Sequence, residues 1–364
     1  MMKSFHTFYL FFITSLSFGA TKPNIILIYT DDQGYGDFSL LNPDSKFKTP
    51  NLDRLAKEGV TLTDGHSPDT VCTPSRYGLL TGRYSWRTTL KRGVFGAEKP
   101  CLIKDGRMTI ASLLRDNGYS TAMVGKWHLG MDFPGDKGNR DWSKPTLDMP
   151  LDKGFDYFWG IPASMNYGVL AWFEGRFAKV PPTLFTSKKP SKIAIDDYRI
   201  MPPYQTTSEE APEPEESGGR KMNPKTKGLE VAKDFVDLEC LDRFTSQSLK
   251  WMDGQAESSR KGKPFFLYLP YTSPHKPVIP MKQFKGKGKA GAYGEFMIET
   301  DWHLGRIMQW LDDEKLAENT MVIFTSDNGP EITWKKRMDK FGHPSNGIFK
   351  EGKRSIYELS LIHI

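Results

Sequence analysis

Asn24-Ile25-Ile26-Leu27-Ile28-Tyr29-Thr30-Asp31-Asp32 is a near-continuous apolar run that stops at two carboxylates. Alternation of apolar and polar residues marks a strand with one wet face. A run without alternation is what a strand buried on both faces requires. Such strands lie centrally in sheets covered by helices on either side, and ligands of open α/β sheets bind outside the carboxyl ends of the strands. Asp31 and Asp32 therefore stand where a site is expected.

The same grammar recurs along the chain. Residues 119–124 read as a strand that delivers Gly125-Lys126-Trp127-His128-Leu129-Gly130. Pro264-Phe265-Phe266-Leu267-Tyr268-Leu269 is soon followed by Ser273-Pro274-His275, and Met321-Val322-Ile323-Phe324-Thr325 by Ser326-Asp327-Asn328-Gly329. Helices are predicted between them. Thr49 caps one, Pro50 opens it, Leu52, Leu55 and Ala56 form its apolar face, and Gly59 ends it. Residues 109–117, closed by Gly118, residues 241–252 and residues 295–311 read as three more. Strands alternating with helices predict an α/β fold, a mostly parallel central sheet sandwiched by helices.

With 364 residues the chain is long enough for one large α/β domain, or one and a half. Its 38% hydrophobic and 26% charged residues are those of a soluble globular protein. The net charge of +6 suits an anionic small molecule or polysaccharide, and suits equally a solvated surface with a slight lysine excess. Nothing resembles a nucleic-acid module. Residues 1–20 have the form of a secretory signal: Lys3 and His6, an apolar stretch over residues 8–18, then small residues offering cleavage after Gly19 or Ala20. That stretch is too short to span a bilayer, so a periplasmic or secreted protein is expected. Residues 181–230, with Glu209-Glu210-Ala211-Pro212-Glu213-Pro214-Glu215-Glu216 at their centre, are expected to form a solvated polar insertion. Of the three cysteines, Cys101 and Cys240 are open to a disulfide or to two buried thiols.

The third, Cys72, opens Cys72-Thr73-Pro74-Ser75-Arg76. Pro74 at a first helical position would put Cys72 near a helix amino terminus, where backbone N–H groups and the dipole favour an anion. The same setting lowers a thiol pKa, which also admits a plain cysteine nucleophile. Together with Leu80-Thr81-Gly82-Arg83, this C-x-P-x-R core resembles the modification signature of the sulfatase family, the formylglycine-dependent, arylsulfatase-like branch of the alkaline-phosphatase superfamily. The resemblance extends from about residue 22 to residue 358 and implies an alkaline-phosphatase-like fold.

It further implies that a formylglycine-generating or maturase enzyme oxidises Cys72 to formylglycine. Asp31, Asp32, Asp327 and Asn328, with the modified Cys72, would hold one divalent cation, for which oxygen donors suit Ca²⁺. Gly125-Lys126-Trp127-His128-Leu129-Gly130 matches the family's G-K-W-H-x-G, so Lys126 would contact the sulfate and His128 would act on the aldehyde hydrate. Ser273-Pro274-His275-Lys276-Pro277 resembles the segment whose histidine protonates the departing alcohol, assigning that role to His275. Gly352-Lys353-Arg354-Ser355-Ile356-Tyr357-Glu358 resembles the late lysine motif, placing Lys353 at the sulfate with Arg76. Ser164, in Gly160-Ile161-Pro162-Ala163-Ser164, matches a serine near the sulfate in some members.

The implied reaction is hydrolysis of sulfate monoesters: a hydroxyl of the hydrated aldehyde attacks sulfur, and the second expels sulfate. Sulfated carbohydrates and aryl sulfates are the implied substrates. A phosphonate or phosphodiester hydrolase on the same fold, or a non-catalytic protein that binds sulfated glycans, are the competing functions. After Glu358 the family continues with glycines and an arginine, whereas this chain reads Leu359-Ser360-Leu361-Ile362-His363-Ile364. Residues 359–364 are accordingly read as a non-native tail on a catalytic domain of residues 21–358. A C-terminal subdomain is expected to be missing.

Overall fold

A computed structural model describes residues 22–186 and 228–355, and the backbone of residues 361–363. The signal expected over residues 1–20 and the acidic centre of the insertion lie outside the described residues. Along the chain come β1 (Asn24–Asp31), α1 (Pro50–Glu58), β2 (Leu62–Gly65), α2 (Cys72–Thr81), α3 (Ile110–Asp116), β3 (Ser120–Lys126) and β4 (Tyr157–Ile161). The short strands β5 (Phe173–Glu174), β6 (Phe177–Ala178), β7 (Leu184–Thr186) and β8 (Leu229–Val231) follow. Then come α4 (Cys240–Arg260), β9 (Phe265–Pro274), α5 (Gly291–Asp313), β10 (Thr320–Ser326), α6 (Trp334–Phe341) and β11 (Leu361–His363).

The main sheet has nine strands in the order β2-β11-β10-β1-β9-β3-β4-β5-β6. Its middle, from β10 to β4, is parallel throughout. Both edges are antiparallel: β11 with β10 and β2 on one side, β5 with β4 and β6 on the other. The mostly parallel sheet is thus as the alternating pattern predicts. β1 lies between β10 and β9 and is buried at every position except Ile25, and β9 is buried along its whole length. The unbroken apolar runs reflect that two-sided burial, each large apolar side chain contributing ~1.5–3 kcal/mol. α4 and α5 pack on β9 and on each other, α1 packs on α5, and α3 on β3.

Several elements differ from the sequence reading. The helix predicted over residues 241–252 runs on to Arg260, and the strand expected over residues 264–269 continues to Pro274. Ser273 thus lies within the sheet, just before His275. Cys72 itself is the first residue of α2, and Pro74 the third rather than the first. Both positions lie in the turn whose N–H groups have no helical partner, so the proline costs no hydrogen bond there. The insertion is narrower than residues 181–230, because Leu184, Phe185 and Thr186 pair antiparallel with Val231, Glu230 and Leu229. Cys101 and Cys240 are buried free thiols, which decides between the two readings. Among the described residues no helix is long and apolar enough to cross a membrane.

β3 passes close to β9 at one glycine. Gly125 has φ +140, and a Cβ there would lie 2.1 Å from the carbonyl oxygen of Pro270. Only glycine meets both demands, and the approach fixes the backbone that presents Lys126. Gly125→Ala should therefore destabilise the protein by ~3 kcal/mol or more, read as a drop in thermal midpoint. A midpoint within about 2 °C of the parent would contradict the close approach.

Candidate active site

Adjacent parallel strands bring the acidic residues together. Asp31 ends β1 and Asp32 follows it, while Asp327 and Asn328 follow β10. The Asp327 N–H donates to the Thr30 carbonyl at 3.0 Å, the Asp32 N–H to Asp327 Oδ1 at 3.2 Å, and Asn328 Nδ2 to Asp32 Oδ1 at 2.7 Å. The register of β1 against β9 shifts between Tyr29 and Asp31, so that Asp31 faces Pro274. Irregularities of this kind re-aim side chains at strand ends.

Three cations meet these carboxylates. Arg76, on the first turns of α2, approaches Asp327 Oδ2 at 2.9 Å and Asp31 Oδ2 at 3.4 Å, and its guanidinium lies 5.3 Å from the Tyr29 ring centroid. Lys126 Nζ donates to Asp31 Oδ2, and Lys353 Nζ to Asp32 Oδ1 at 2.5 Å. Cys72 sits between them: its thiol donates to Asp31 Oδ1 at 3.4 Å, and Lys353 Nζ lies 3.5 Å from Sγ. All seven side chains are buried.

Burial governs the titration of the group. It lowers Lys126 to about 7, against the pull of Asp327. It acts to lower Lys353 as well, but Asp32, Cys72 and Asp327 outweigh it and raise this ammonium above its ordinary value. Cys72 is pushed up to about 12, first by burial and then by Asp327 and Asp32, with Lys353 and Arg76 opposing. The helix amino terminus was expected to lower this thiol. Desolvation and two carboxylates reverse the sign, and Cys72 is a neutral thiol near pH 7.

The histidines occupy the same space. Neither ring nitrogen of His128 has a hydrogen-bond partner, and burial followed by Lys126 and Arg76 holds the imidazole well below its ordinary value. His275 Nδ1 faces the Lys276 carbonyl at 2.5 Å and Ser164 Oγ at 3.1 Å. A carbonyl only accepts, so Nδ1 carries the hydrogen in that contact. His275 Nε2 is turned toward Asp32 Oδ2, 3.8 Å away. Burial, then Lys353, lowers this imidazole too. Ser164 therefore touches His275, and every residue singled out from the sequence falls within one cluster.

The cluster floors a cavity of about 580 Å³ whose walls include residues the sequence reading missed. Arg354 donates to Glu331 Oε1 at 2.5 Å, and Lys276 Nζ lies 3.6 Å from Glu331 Oε2. Burial acts to raise Glu331, but Arg354, Lys353 and Lys276 hold it down to about 2. A lone glutamate after a turn carries no sequence signal. Arg354 was legible only as the neighbour of Lys353. Asp32, His128 and Arg354 all adopt left-handed backbone, at φ 67, 60 and 72. Each such residue costs ~1–2 kcal/mol, a strain that clusters at functional sites.

Ligand atoms of Asp31, Asp32, Cys72 and His275 lie within 4.8 Å of one another. Asp32 Oδ2 and Asn328 Oδ1 are buried without a hydrogen-bond partner. Unpaired buried acceptors are rare, and two of them beside further carboxylate oxygens fit a hard divalent cation. Asp327 accepts through Oδ2 from Arg76 and through Oδ1 from the Asp32 N–H, which leaves a lone pair on each oxygen for such a cation.

Comparison with known proteins shows what the whole chain is similar to. The chain is 34% identical over 351 residues to an N-acetylgalactosamine-6-O-sulfatase of Bacteroides thetaiotaomicron, covering 93% of this chain and 65% of that protein. It is 32% identical over 339 residues to human arylsulfatase A, covering 93% of this chain and 57% of that one. It thus spans less than two thirds of the length of either relative. A solved 6S-sulfatase structure, from a Bacteroides thetaiotaomicron locus that metabolises multiple glycosaminoglycans, superposes with a TM-score of 0.74 at 30% identity, over 95% of this chain and 72% of that one. The sulfatase family model matches residues 23–363, and the chain belongs to the sulfatase family.

Proposed function

We propose that the protein hydrolyses sulfate monoesters of carbohydrates, using formylglycine formed from Cys72. The placement of Cys72 carries this reading. It is the first residue of a helix on the floor of a cavity, beside Asp31 and Lys353, with its thiol pushed up to about 12. A thiol so raised is a poor nucleophile at neutral pH, so an unmodified cysteine does not suit the position. Formylglycine would supply a hydrated aldehyde as the nucleophile. A separate formylglycine-generating or maturase enzyme is the implied partner, and export through residues 1–20 belongs to the same reading.

The surrounding residues suit the rest of the task. Arg76, Lys126 and Lys353 offer positive charge to the sulfate oxygens and to the charge that develops on the leaving oxygen. The neutral His128 imidazole can accept a proton at position 72. His275, oriented through Nδ1 by Lys276 and Ser164, turns Nε2 toward the reacting centre; as the imidazolium, which an anionic sulfate bound beside it would favour, it would donate the Nε2 proton to the departing alcohol. Asp31, Asp32, Asp327 and Asn328 would hold a divalent cation, Ca²⁺ by the hardness of the donors, which would supply Lewis-acid polarisation. The sulfated N-acetylgalactosamine named for the Bacteroides relative is the first substrate to test.

Mass analysis of the Cys72 peptide from protein produced with a maturase should show the aldehyde form. Cys72→Ala should abolish turnover, and full activity with an intact thiol would sink the mechanism. Prolonged chelation should lower the rate at least ~10²-fold, with Ca²⁺ restoring it. A rate indifferent to chelation would remove the metal from the reading. Since a sugar alcohol leaves far less readily than a nitrophenolate, His275→Ala should slow sugar-sulfate hydrolysis by ~10²-fold or more and nitrophenyl sulfate hydrolysis much less. Equal losses on both substrates would exclude proton donation as its role. A faster rate on aryl phosphonate than on aryl sulfate would move the protein to the competing hydrolase class.

A further inference from the structure

The cavity mouth has one wall that the hydrolytic step leaves unused. Gly82, left-handed at φ 64, ends α2, and a single 3₁₀ turn follows over Ser85–Arg87. Ser85 is buried, and its carbonyl accepts from Thr88 Oγ1 at 2.6 Å, which anchors the turn. The aromatic rings on either side of it face outward: Tyr84 is 55% exposed and Trp86 54%. They stack on each other with centroids 5.8 Å apart and planes 15° apart. Lys91 Nζ donates back to the Trp86 carbonyl at 2.9 Å, tying the following residues to the turn.

Residues 83–93 contain Arg83, Arg87, Lys91 and Arg92 and no acidic residue. Among the described residues no carboxylate pairs with any of these four. Trp86, Lys91 and Arg92 line the same cavity as Cys72 and Lys353. Large aromatic rings half in water, beside cations that no carboxylate among the described residues neutralises, are not explained by core packing. The stacked Tyr84–Trp86 pair, with the Arg87 guanidinium 5.4 Å from the Trp86 centroid and Lys91 and Arg92 beside it, matches a sugar ring whose C–H groups pack on the aromatic pair and whose anionic substituent reaches the cations. The cavity also exceeds the needs of a sulfate group alone.

We propose that Trp86, with Lys91 and Arg92, forms a subsite for a second, anionic sugar residue next to the one that bears the scissile sulfate. This rests on the sulfated-carbohydrate reading above and narrows it: the substrate is a polyanionic oligosaccharide rather than a sulfated monosaccharide or a free aryl sulfate. The aromatic pair selects a ring, and the cations without carboxylate partners among the described residues select a sulfate or carboxylate upon it.

The test compares a tetrasaccharide of alternating uronate and 6-sulfated N-acetylgalactosamine with the 6-sulfated monosaccharide. Calorimetry on Cys72→Ala protein in calcium buffer reads binding without turnover. The tetrasaccharide should bind at least about tenfold more tightly than the monosaccharide, and Trp86→Ala and Arg92→Gln should each remove most of that advantage. Trp86→Phe, which keeps a ring, should retain most of it. In the formylglycine-bearing protein, the ratio of kcat/KM for tetrasaccharide over monosaccharide should fall about tenfold in the same two variants. Equal binding of the two saccharides, or an unchanged ratio in both variants, overturns the subsite. Equal competition by a single-stranded oligonucleotide overturns its assignment to sugar. If the tetrasaccharide binds through Trp86 and Arg92 while no sulfate ester is cleaved, the hydrolytic reading fails and the subsite stands.

Discussion

Six charges buried behind Cys72 set the terms for the rest of the site: Asp31, Asp32 and Asp327 against Arg76, Lys126 and Lys353. Each of these ions alone would cost several kcal/mol to remove from water, and a single pair recovers that cost only in excellent geometry. Here every member has a partner of opposite sign, and the members arrive from five separate parts of the chain. The parallel pairing of β1 with β10 makes this possible, because it delivers both acidic segments at one end of the sheet. Removal of Asp31 leaves Lys126, and removal of Lys353 leaves Asp32, without its ion-pair partner in this set, a loss on the order of 3–5 kcal/mol. The electrostatics of the site and the stability of the sheet end are therefore one problem.

The site also stores backbone strain. Asp32 leaves β1, His128 follows β3 and Arg354 follows Lys353, all in the left-handed region. A residue continuing as extended strand would send its side chain along the pleat and away from the cavity. The left-handed turn instead lets the chain leave the sheet while the carboxylate or imidazole stays over its end. The large buried core of β1, β9 and their covering helices holds these conformations in place, as expected where function rather than local preference selects them.

What the sequence disclosed follows from the physical origin of each signal. β1 and β9 were legible because two-sided burial demands unbroken apolar runs, and β10, although its first residues are partly exposed, because its apolar residues run unbroken up to Thr325. β4 was not, since Tyr157-Phe158-Trp159-Gly160-Ile161 is short and interrupted by glycine, and the two-residue β5 and β6 carry no period at all. Cys72, Arg76, Lys126, His128, His275 and Lys353 stood out through dense local motifs. Glu331 did not, because its importance lies in two cations that reach it from other segments. The thiol pKa was misjudged for a related reason. Helix position can be read locally, whereas burial and the facing Asp327 and Asp32 are tertiary facts.

α2 joins the two halves of the cavity. Cys72 is its first residue, and its carboxyl end hands the chain to the turn that carries Trp86. The ten-residue helix is about 15 Å long, so the chain must double back for residues 85–94 to reach the wall above Cys72. The anchored Ser85 and the contact from Lys91 to the Trp86 carbonyl fix that return. The reacting position and the aromatic wall are thereby held at a set separation by one rigid element. Chemistry at the strand ends can then remain constant while the returning loop determines what is bound beside it, since a loop accepts substitutions that six mutually paired buried charges do not.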